Sequence, residues 1–351
     1  MSRCQVEKLF AIHITLTKQG SSAQKSRRRK IAILSALALA ANAIYDAFGH
    51  CRARDFPDRE ANPRALYCDT SRCTNYMNMI IDTHVHAISE DQEKYPRRAD
   101  VQEWVCDTSA EMLLALNREA GVDRTVLVQG HGAYEFDNSY AADCARQYPR
   151  NFVSVCIVDQ LQTNADDELT YWVRERGVGG VRLFALGEPE VPIDDERTYP
   201  LWERAVALAI PICIMMRFHQ VARLAGMLER FPEARVALDH LALPRLREGA
   251  PYDSVQALFE LARFPKLYLK FSTETLYAAR RGRSTPEEFF SRLVQRFGAQ
   301  RIMWGSNYPA THDRSFKEQV ALAREDLAFL SQEDQGWLFG ETALSLWPAL
   351  R

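Results

Sequence analysis

Eight short apolar runs rich in β-branched residues, each followed by a segment with helical spacing, occupy the chain from Ile80 to Phe329. That alternation restricts the fold more than any other feature. A strand buried on both faces reads as a continuous apolar run, and the sheet that holds such strands is parallel and covered by helices. The runs are Ile80–His84, Thr125–Gln129, Phe152–Val158, Gly180–Phe184, Ile210–Met216, Arg235–His240, Leu267–Ser272 and Arg301–Gly305. The helical segments between and after them lie in Ser109–Ala120, Asn138–Gln147, Asp166–Arg176, Leu201–Ala209, Val221–Phe231, Ser254–Arg263, Pro286–Phe297 and Phe316–Phe329. Ser109 is suited to cap the first helix, and Pro286 sits where a first-turn proline is tolerated. Eight units in series predict a closed (β/α)8 barrel, an α/β fold. No Gly-x-Gly-x-x-Gly follows the first strand, which argues against a dinucleotide-binding sheet.

The barrel expected from this pattern covers 79–351, and such a domain needs about 250 residues. Residues 1–78 read differently. They hold a basic run, Lys25–Lys30, an apolar stretch, Ile31–Tyr45, and a polar segment with Cys51, Cys68 and Cys73. The apolar stretch is too short for a membrane span. Its combination with the basic run imitates an export signal, although the basic run starts late for one. Met79 opens Met-Ile-Ile-Asp-Thr-His, so an assigned start upstream of the true one is the leading expectation. An appended segment and an export signal are the alternatives. In each case this stretch is expected to lie outside the catalytic domain.

A net charge of -2 gives no global attraction to nucleic acid or to anionic membranes. The eight cysteines lack CxxC spacing, which points to free thiols in a reducing cytoplasm rather than to a disulfide framework. The expected partner is a small-molecule substrate, with homo-oligomer formation left open.

In (β/α)8 barrels the chemistry sits at the C-terminal ends of the strands. Here those ends carry titratable groups. The first strand runs into His84-Val85-His86, whose two imidazoles share one face and could hold one divalent metal. The second leads to His131, the fourth carries Arg182, the sixth ends in Asp239-His240, and the seventh carries Lys270. The eighth leads into Ser306-Asn307-Tyr308-Pro309; Arg217 and His219 follow the fifth strand, and His312 follows the eighth. Any one of these could be a satisfied structural residue. Their repetition at one end of otherwise apolar strands predicts a site, since burying so many without function would carry repeated desolvation costs.

These residues resemble the amidohydrolase-2 branch of the amidohydrolase superfamily, and within it the lactonases related to 2-pyrone-4,6-dicarboxylate lactonase and the sugar lactonases. The pieces that carry the resemblance are Ile81-Asp82-Thr83-His84-Val85-His86, Gly180-Val181-Arg182-Leu183-Phe184, Leu238-Asp239-His240-Leu241-Ala242, Tyr268-Leu269-Lys270-Phe271-Ser272 and Met303-Trp304-Gly305-Ser306-Asn307-Tyr308-Pro309. The resemblance implies a hydrolase with His84 and His86 as metal ligands. It implies that His240 polarises the scissile carbonyl or helps activate water. Asn307 stands where the family usually has an aspartate that serves as metal ligand and general base. A neutral amide is a poorer ligand and cannot accept the proton. No fourth-strand lysine or fifth-strand histidine matches the family's other ligands, and His219 is displaced. The expected cofactor is therefore either one divalent ion, zinc or manganese, in an incomplete site, or none.

The expected reaction is hydrolysis of a small carboxylated lactone or related cyclic ester. Arg182, Arg217, Lys270 and His131 are the expected substrate-binding residues, because a guanidinium can hold a carboxylate through two hydrogen bonds. His240 and Asn307 are the expected catalytic pair, with the base left to His131 or His312. A metal-dependent decarboxylase and a catalytically silent small-molecule-binding barrel are the alternatives.

Overall fold

Strand β1 (Ile81–Val85) pairs in parallel with β2 (Arg124–Val128), which pairs with β3 (Phe152–Val155). A second parallel set runs in chain order through β4 (Val181–Phe184), β5 (Ile212–Met215), β6 (Val236–Leu238), β7 (Leu267–Phe271) and β8 (Ile302–Trp304). Single bridges close both seams, Cys156 to Val181 on one side and Val85 to Tyr308 on the other. The eight strands thus form one ring. The computed structural model describes residues 79–187 and 189–351. The readings made above for 1–78 fall outside the described residues. Among the described residues no helix is long and apolar enough to cross a membrane.

Each strand is followed by helix. The main ones are α1 (Ala110–Ala120), α2 (His131–Tyr134), α3 (Ser139–Gln147), α4 (Ala165–Arg174), α5 (Tyr199–Ala207), α6 (Val221–Arg230) and α7 (Gln256–Glu260). After β7 come α8 (Thr273–Ala279) and α9 (Pro286–Phe297), and after β8 come α10 (Phe316–Asp326), α11 (Gln332–Gly336) and α12 (Thr342–Leu346). Ser109 caps α1 as its sequence suggested, with its hydroxyl accepting from Met112 N, and Gly121 ends that helix at φ 75°. The sixth helical segment is shorter than its pattern, because three-residue 3-10 turns flank α7 on both sides.

Alternation sorts the strand residues into two layers. Leu127, Leu183, Ile214, Leu238, Leu269 and Trp304 belong to the large cluster between barrel and helices. Ile81, Val126, Val153, Cys213, Ala237 and Met303 form a second cluster, filled by Leu344, Leu346 and Trp347 from the C-terminal segment. The register of β1 is irregular. Asp82 pairs with Thr125, but Val85 pairs with Leu127, so three steps on β1 match two on β2. This bulge shifts the alternation by one residue. Ile81 shares the cluster of Val126 and Val128 at the start of β1, and past the bulge His84 and His86 take the parity that Ile81 had.

Candidate active site at the strand ends

The bulge explains why a strand that begins as apolar core ends as a pair of converging histidines. His84 and His86 are buried, and their rings lie 5.1 Å apart edge to face. The backbone of β8 passes directly beside them. A side chain at Gly305 would lie 2.7 Å from the Cβ of His84, so only glycine allows this approach. His84 also accepts from Asn307 through its carbonyl (2.8 Å), and His86 N donates to the Tyr308 carbonyl (2.8 Å).

His240 comes from the turn after β6 rather than from the strand itself. His240, Leu241, Ala242 and Leu243 have φ between 53° and 59°, four left-handed residues in succession without a glycine. That conformation is unfavourable for L-residues and is retained only where surrounding contacts impose it. Its result is that the His240 ring lies 4.5 Å from the His84 ring. Asn307, also left-handed at φ 62°, faces the same space; asparagine tolerates that region better than most residues. Its side chain lies against His86. The four residues singled out for the chemistry therefore meet in one place.

Beneath them lies a charged core. Asp239 is fully buried and accepts from Arg182 Nε at 2.7 Å, while Lys270 Nζ stands 3.1 Å from its other oxygen. His84 Nδ1 is 3.6 Å from that same oxygen. Desolvation works against the Asp239 anion, but Lys270 and Arg182 together hold its carboxyl well below the usual range. Lys270 is itself buried, 3.3 Å from Cys213 Sγ and 5.3 Å from the centre of the Trp347 ring. Its ammonium is thus engaged inside the barrel. Arg182 spends one N–H on Asp239; its terminal nitrogens donate to no protein acceptor among the described residues.

Burial dominates the titration of the histidines. It lowers His86 to about 4 and His240 to about 3, with the Arg182 charge adding to the effect on both, and it holds His84 well below 6.5. All three are neutral near pH 7. Asp82, which faces away from them and accepts from His84 N and Ser306 N, is raised by burial to about 7.

A carboxylate that the sequence reading passed over completes the cluster. Glu274, in the first turn of α8, accepts from Asn307 Nδ2 at 2.9 Å and from the Ser272 hydroxyl at 2.7 Å. Ser272 Oγ in turn lies 2.8 Å from His240 Nδ1. Burial raises Glu274 above its ordinary pKa. The available signal was local. Ser272 and Thr275 form a capping box, which starts a helix at the very end of β7 and puts Glu274 at the barrel mouth. Trp104, whose indole lies 5.1 Å from the His86 ring, is a second neighbour that no strand-end reading would supply.

The other sequence-derived residues divide. His131 begins α2 and stacks on Phe184 at 4.4 Å; burial lowers it to about 4. Arg217 is exposed and paired with Glu190 at 2.6 Å, and His219 meets the same carboxylate at 2.9 Å. His312 is exposed, with its Nδ1 against the Pro309 carbonyl.

The donor set offers half of a metal site. His84 Nε2 is buried without a hydrogen-bond partner, and His86 donates through Nδ1 to the Val128 carbonyl (2.9 Å), the second contact that commonly orients a metal-binding histidine. The remainder does not fit. Both Asp239 oxygens face Arg182 or Lys270, both Glu274 oxygens accept from Ser272 or Asn307, and Asn307 is neutral. His240 adds a third neutral imidazole, but among the described residues no free carboxylate joins the three to complete a metal site.

A strand-end site of this kind in an eight-stranded barrel defines an amidohydrolase-type enzyme. The amidohydrolase family model matches residues 81–349, and the chain belongs to that family. It is 28% identical to the L-fucono-1,5-lactonase of Burkholderia ambifaria over 243 residues, which cover 67% of this chain and 82% of the relative. Its fold matches a candidate 2-pyrone-4,6-dicarboxylic acid hydrolase from Pseudomonas putida with a TM-score of 0.64 and 25% identity, covering 77% of this chain and 98% of the other. An amidohydrolase from Burkholderia multivorans, 21% identical, has the same fold (TM-score 0.63, 77% and 99% covered) and was crystallised with bound zinc.

Proposed function

We propose that this chain hydrolyses a small lactone at the barrel mouth formed by His84, His86, His240 and Asn307. One observation carries the reading. Neutral, acceptor-bearing groups for water stand beside a guanidinium with free N–H groups, all within one buried cluster. The lactonase relative and the pyrone-dicarboxylate hydrolase candidate support the same class of substrate.

The hydrogen bonds assign roles. An ionised Glu274 can only accept, so the single Ser272 proton is directed to it. Ser272 Oγ must then accept from His240 Nδ1–H, which leaves His240 Nε2 as a bare acceptor. In that tautomer His240 accepts from the attacking water rather than donating to a carbonyl, and a substrate carboxylate on Arg182 offsets one of the charges that lower its basicity. Asn307, held through its amide by Glu274 and Thr311, presents its oxygen and positions the water. The terminal nitrogens of Arg182 supply the hydrogen bonds to the carbonyl oxygen, or to a substrate carboxylate, that must strengthen as negative charge develops. Lys270 acts from below, by fixing Asp239 and through it Arg182, and His131 lines the approach. Arg217 contributes at the rim when it exchanges Glu190 for a substrate carboxylate. The steps are carried by these side chains alone, and no step passes through a metal.

In the reaction the water oxygen bonds to the lactone carbonyl carbon and its proton moves to His240. The ring C–O bond then breaks, and the proton passes to the departing ring oxygen. The new carboxylic acid releases one proton to solvent. Proton release from a panel of five- and six-membered lactones, followed with a pH indicator, tests this. Turnover of at least one member well above the uncatalysed rate is expected; binding without turnover across the panel would instead favour a silent barrel. Cys106, Cys144, Cys156 and Cys213 are free thiols, which supports a reducing compartment for the enzyme.

A further inference from the structure

Next to the histidine cluster, on the β2–β4 side of the mouth, lies a cavity of about 140 Å³. Its walls are mostly apolar, with Phe136, Val158, Leu161, Phe184 and Val191 among them, and His131 stacks flat on Phe184. Arg182 joins it to the site, since its guanidinium lies 5.6 Å from the Phe184 ring.

Two of the residues that line it each carry a buried polar atom without a partner. Gln160 accepts from Phe184 N through Oε1 (3.2 Å), which leaves its Nε2 as an unmatched donor. His131 Nδ1 is the other. The third polar residue of the lining, Asp159, is occupied with Leu161 N and with Gln162.

We propose that this cavity is a substrate subsite for a planar apolar group of about one six-membered ring that carries an oxygen acceptor at its edge. The proposal rests on the lactonase reading for its reaction, but not for its binding. Three physical arguments support it. An apolar cavity of roughly 150 Å³ is large enough for benzene. A polyhydroxylated chain would bury several hydroxyls against Phe136, Val158, Leu161 and Val191 with too few partners, and each unpaired hydroxyl is penalised. A ring with one edge oxygen satisfies Gln160 Nε2 and fills the rest with carbon. The substrate class this selects is an aryl-substituted or fused unsaturated lactone, rather than a sugar lactone.

The test compares three lactones with the same ring and similar leaving alcohols: γ-phenyl-γ-butyrolactone, γ-butyrolactone and a polyhydroxylated 1,4-lactone. The expected kcat/KM for the phenyl compound exceeds that of the other two by about tenfold or more, the scale on which a hydrophobic pocket discriminates. Val191 is only partly buried, and Val191→Trp fills the cavity from its rim; the phenyl advantage should then fall to within about threefold. A second arm needs no turnover. Benzamide, a ring with one amide oxygen, should bind the natural protein in a titration followed by NMR, and Val191→Trp should abolish that binding. Benzamide binding without lactone turnover would sink the lactonase reading and leave the subsite standing. Turnover that favours the polyhydroxylated lactone, a phenyl advantage that survives Val191→Trp, or absence of benzamide binding would overturn the subsite.

Discussion

Ser272 Oγ lies 2.8 Å from His240 Nδ1, and this contact decides what His240 can do. With Glu274 ionised, the Ser272 proton goes to it, so the histidine is the donor in the pair and its other nitrogen is left as an acceptor. In the proposed mechanism Glu274 is thus a positioning residue that sets a tautomer at one remove.

Glu274→Gln replaces an obligate acceptor with a group that can also donate, so the direction of the chain is no longer fixed. The expected loss in kcat is about 10²–10⁴-fold, the range seen when the carboxylate orienting a catalytic histidine is neutralised, with a much smaller change in KM. Nitrogen NMR of labelled histidine should show His240 protonated at Nδ1 in the natural protein and a mixed population in the variant. An unchanged His240 signal with lost activity would assign Glu274 a different role.

Asn307→Asp would restore the residue the family usually has. In this chain it would bring a second carboxylate to the place where Asn307 Nδ2 now stands 2.9 Å from Glu274. Two carboxylates that close cannot both ionise readily. The variant should lose activity by at least about tenfold, since one mispositioned water or misplaced proton costs at least that much, and added zinc or manganese should not recover it. A chelator-sensitive gain in activity would instead show that one carboxylate is enough to rebuild a metal site.

The strands were legible because each is an apolar run between helical patterns, and His84 and His86 were legible because two residues apart on a strand means one face. The bulge in β1 was not, since nothing in Ile-Asp-Thr-His marks a three-for-two register against β2. Asp239 could be read as a strand-end acid, but its pairing with Arg182 and Lys270 joins three strands and has no local signature. Glu274 was hidden for a different reason. It sits in Thr-Glu-Thr-Leu, a short segment with β-branched residues and weak helical propensity, and only its capping box and tertiary contacts make α8 a helix. Arg217, by contrast, is a strand-end cation whose surface partner Glu190 lies on a preceding loop, a pairing with no local signature.

Asp239→Asn removes the one anion set between Arg182 and Lys270. Breaking a buried pair and leaving uncompensated charge typically destabilises by about 3–5 kcal/mol. Chemical denaturation should show a loss of that size, and Lys270→Met on the same background should recover part of it. Additive losses in the double variant would mean that the two residues do not interact.

Stability should fall on acidification. His86 and His240 are lowered to about 4 and about 3, and His84 is also lowered. On unfolding below pH 6.5 each takes up a proton that the folded state refuses, so the stability present above 6.5 is lost as pH drops toward the folded values. Asp82, raised to about 7, acts in the opposite sense, because the folded state keeps its proton between about 7 and 3.8. With His131, also lowered to about 4, four histidines outweigh the raised carboxyls Asp82, Glu168 and Glu274. The net loss is roughly 1.4 kcal/mol per pH unit for each net proton, and melting temperatures measured from pH 7 to pH 4.5 should decline steadily. A flat profile would mean that these histidines are hydrated or already charged.

The most direct measurement is a crystal structure of the protein with the hydroxy acid formed from the lactone it opens fastest. The product carboxylate is expected within hydrogen-bond distance of the Arg182 terminal nitrogens, with one of its oxygens between His240 Nε2 and the Asn307 side chain, where the attacking water stood. A product bound away from both His240 and Asn307, or held by a metal ion on His84 and His86 with Arg182 turned away, would contradict the account.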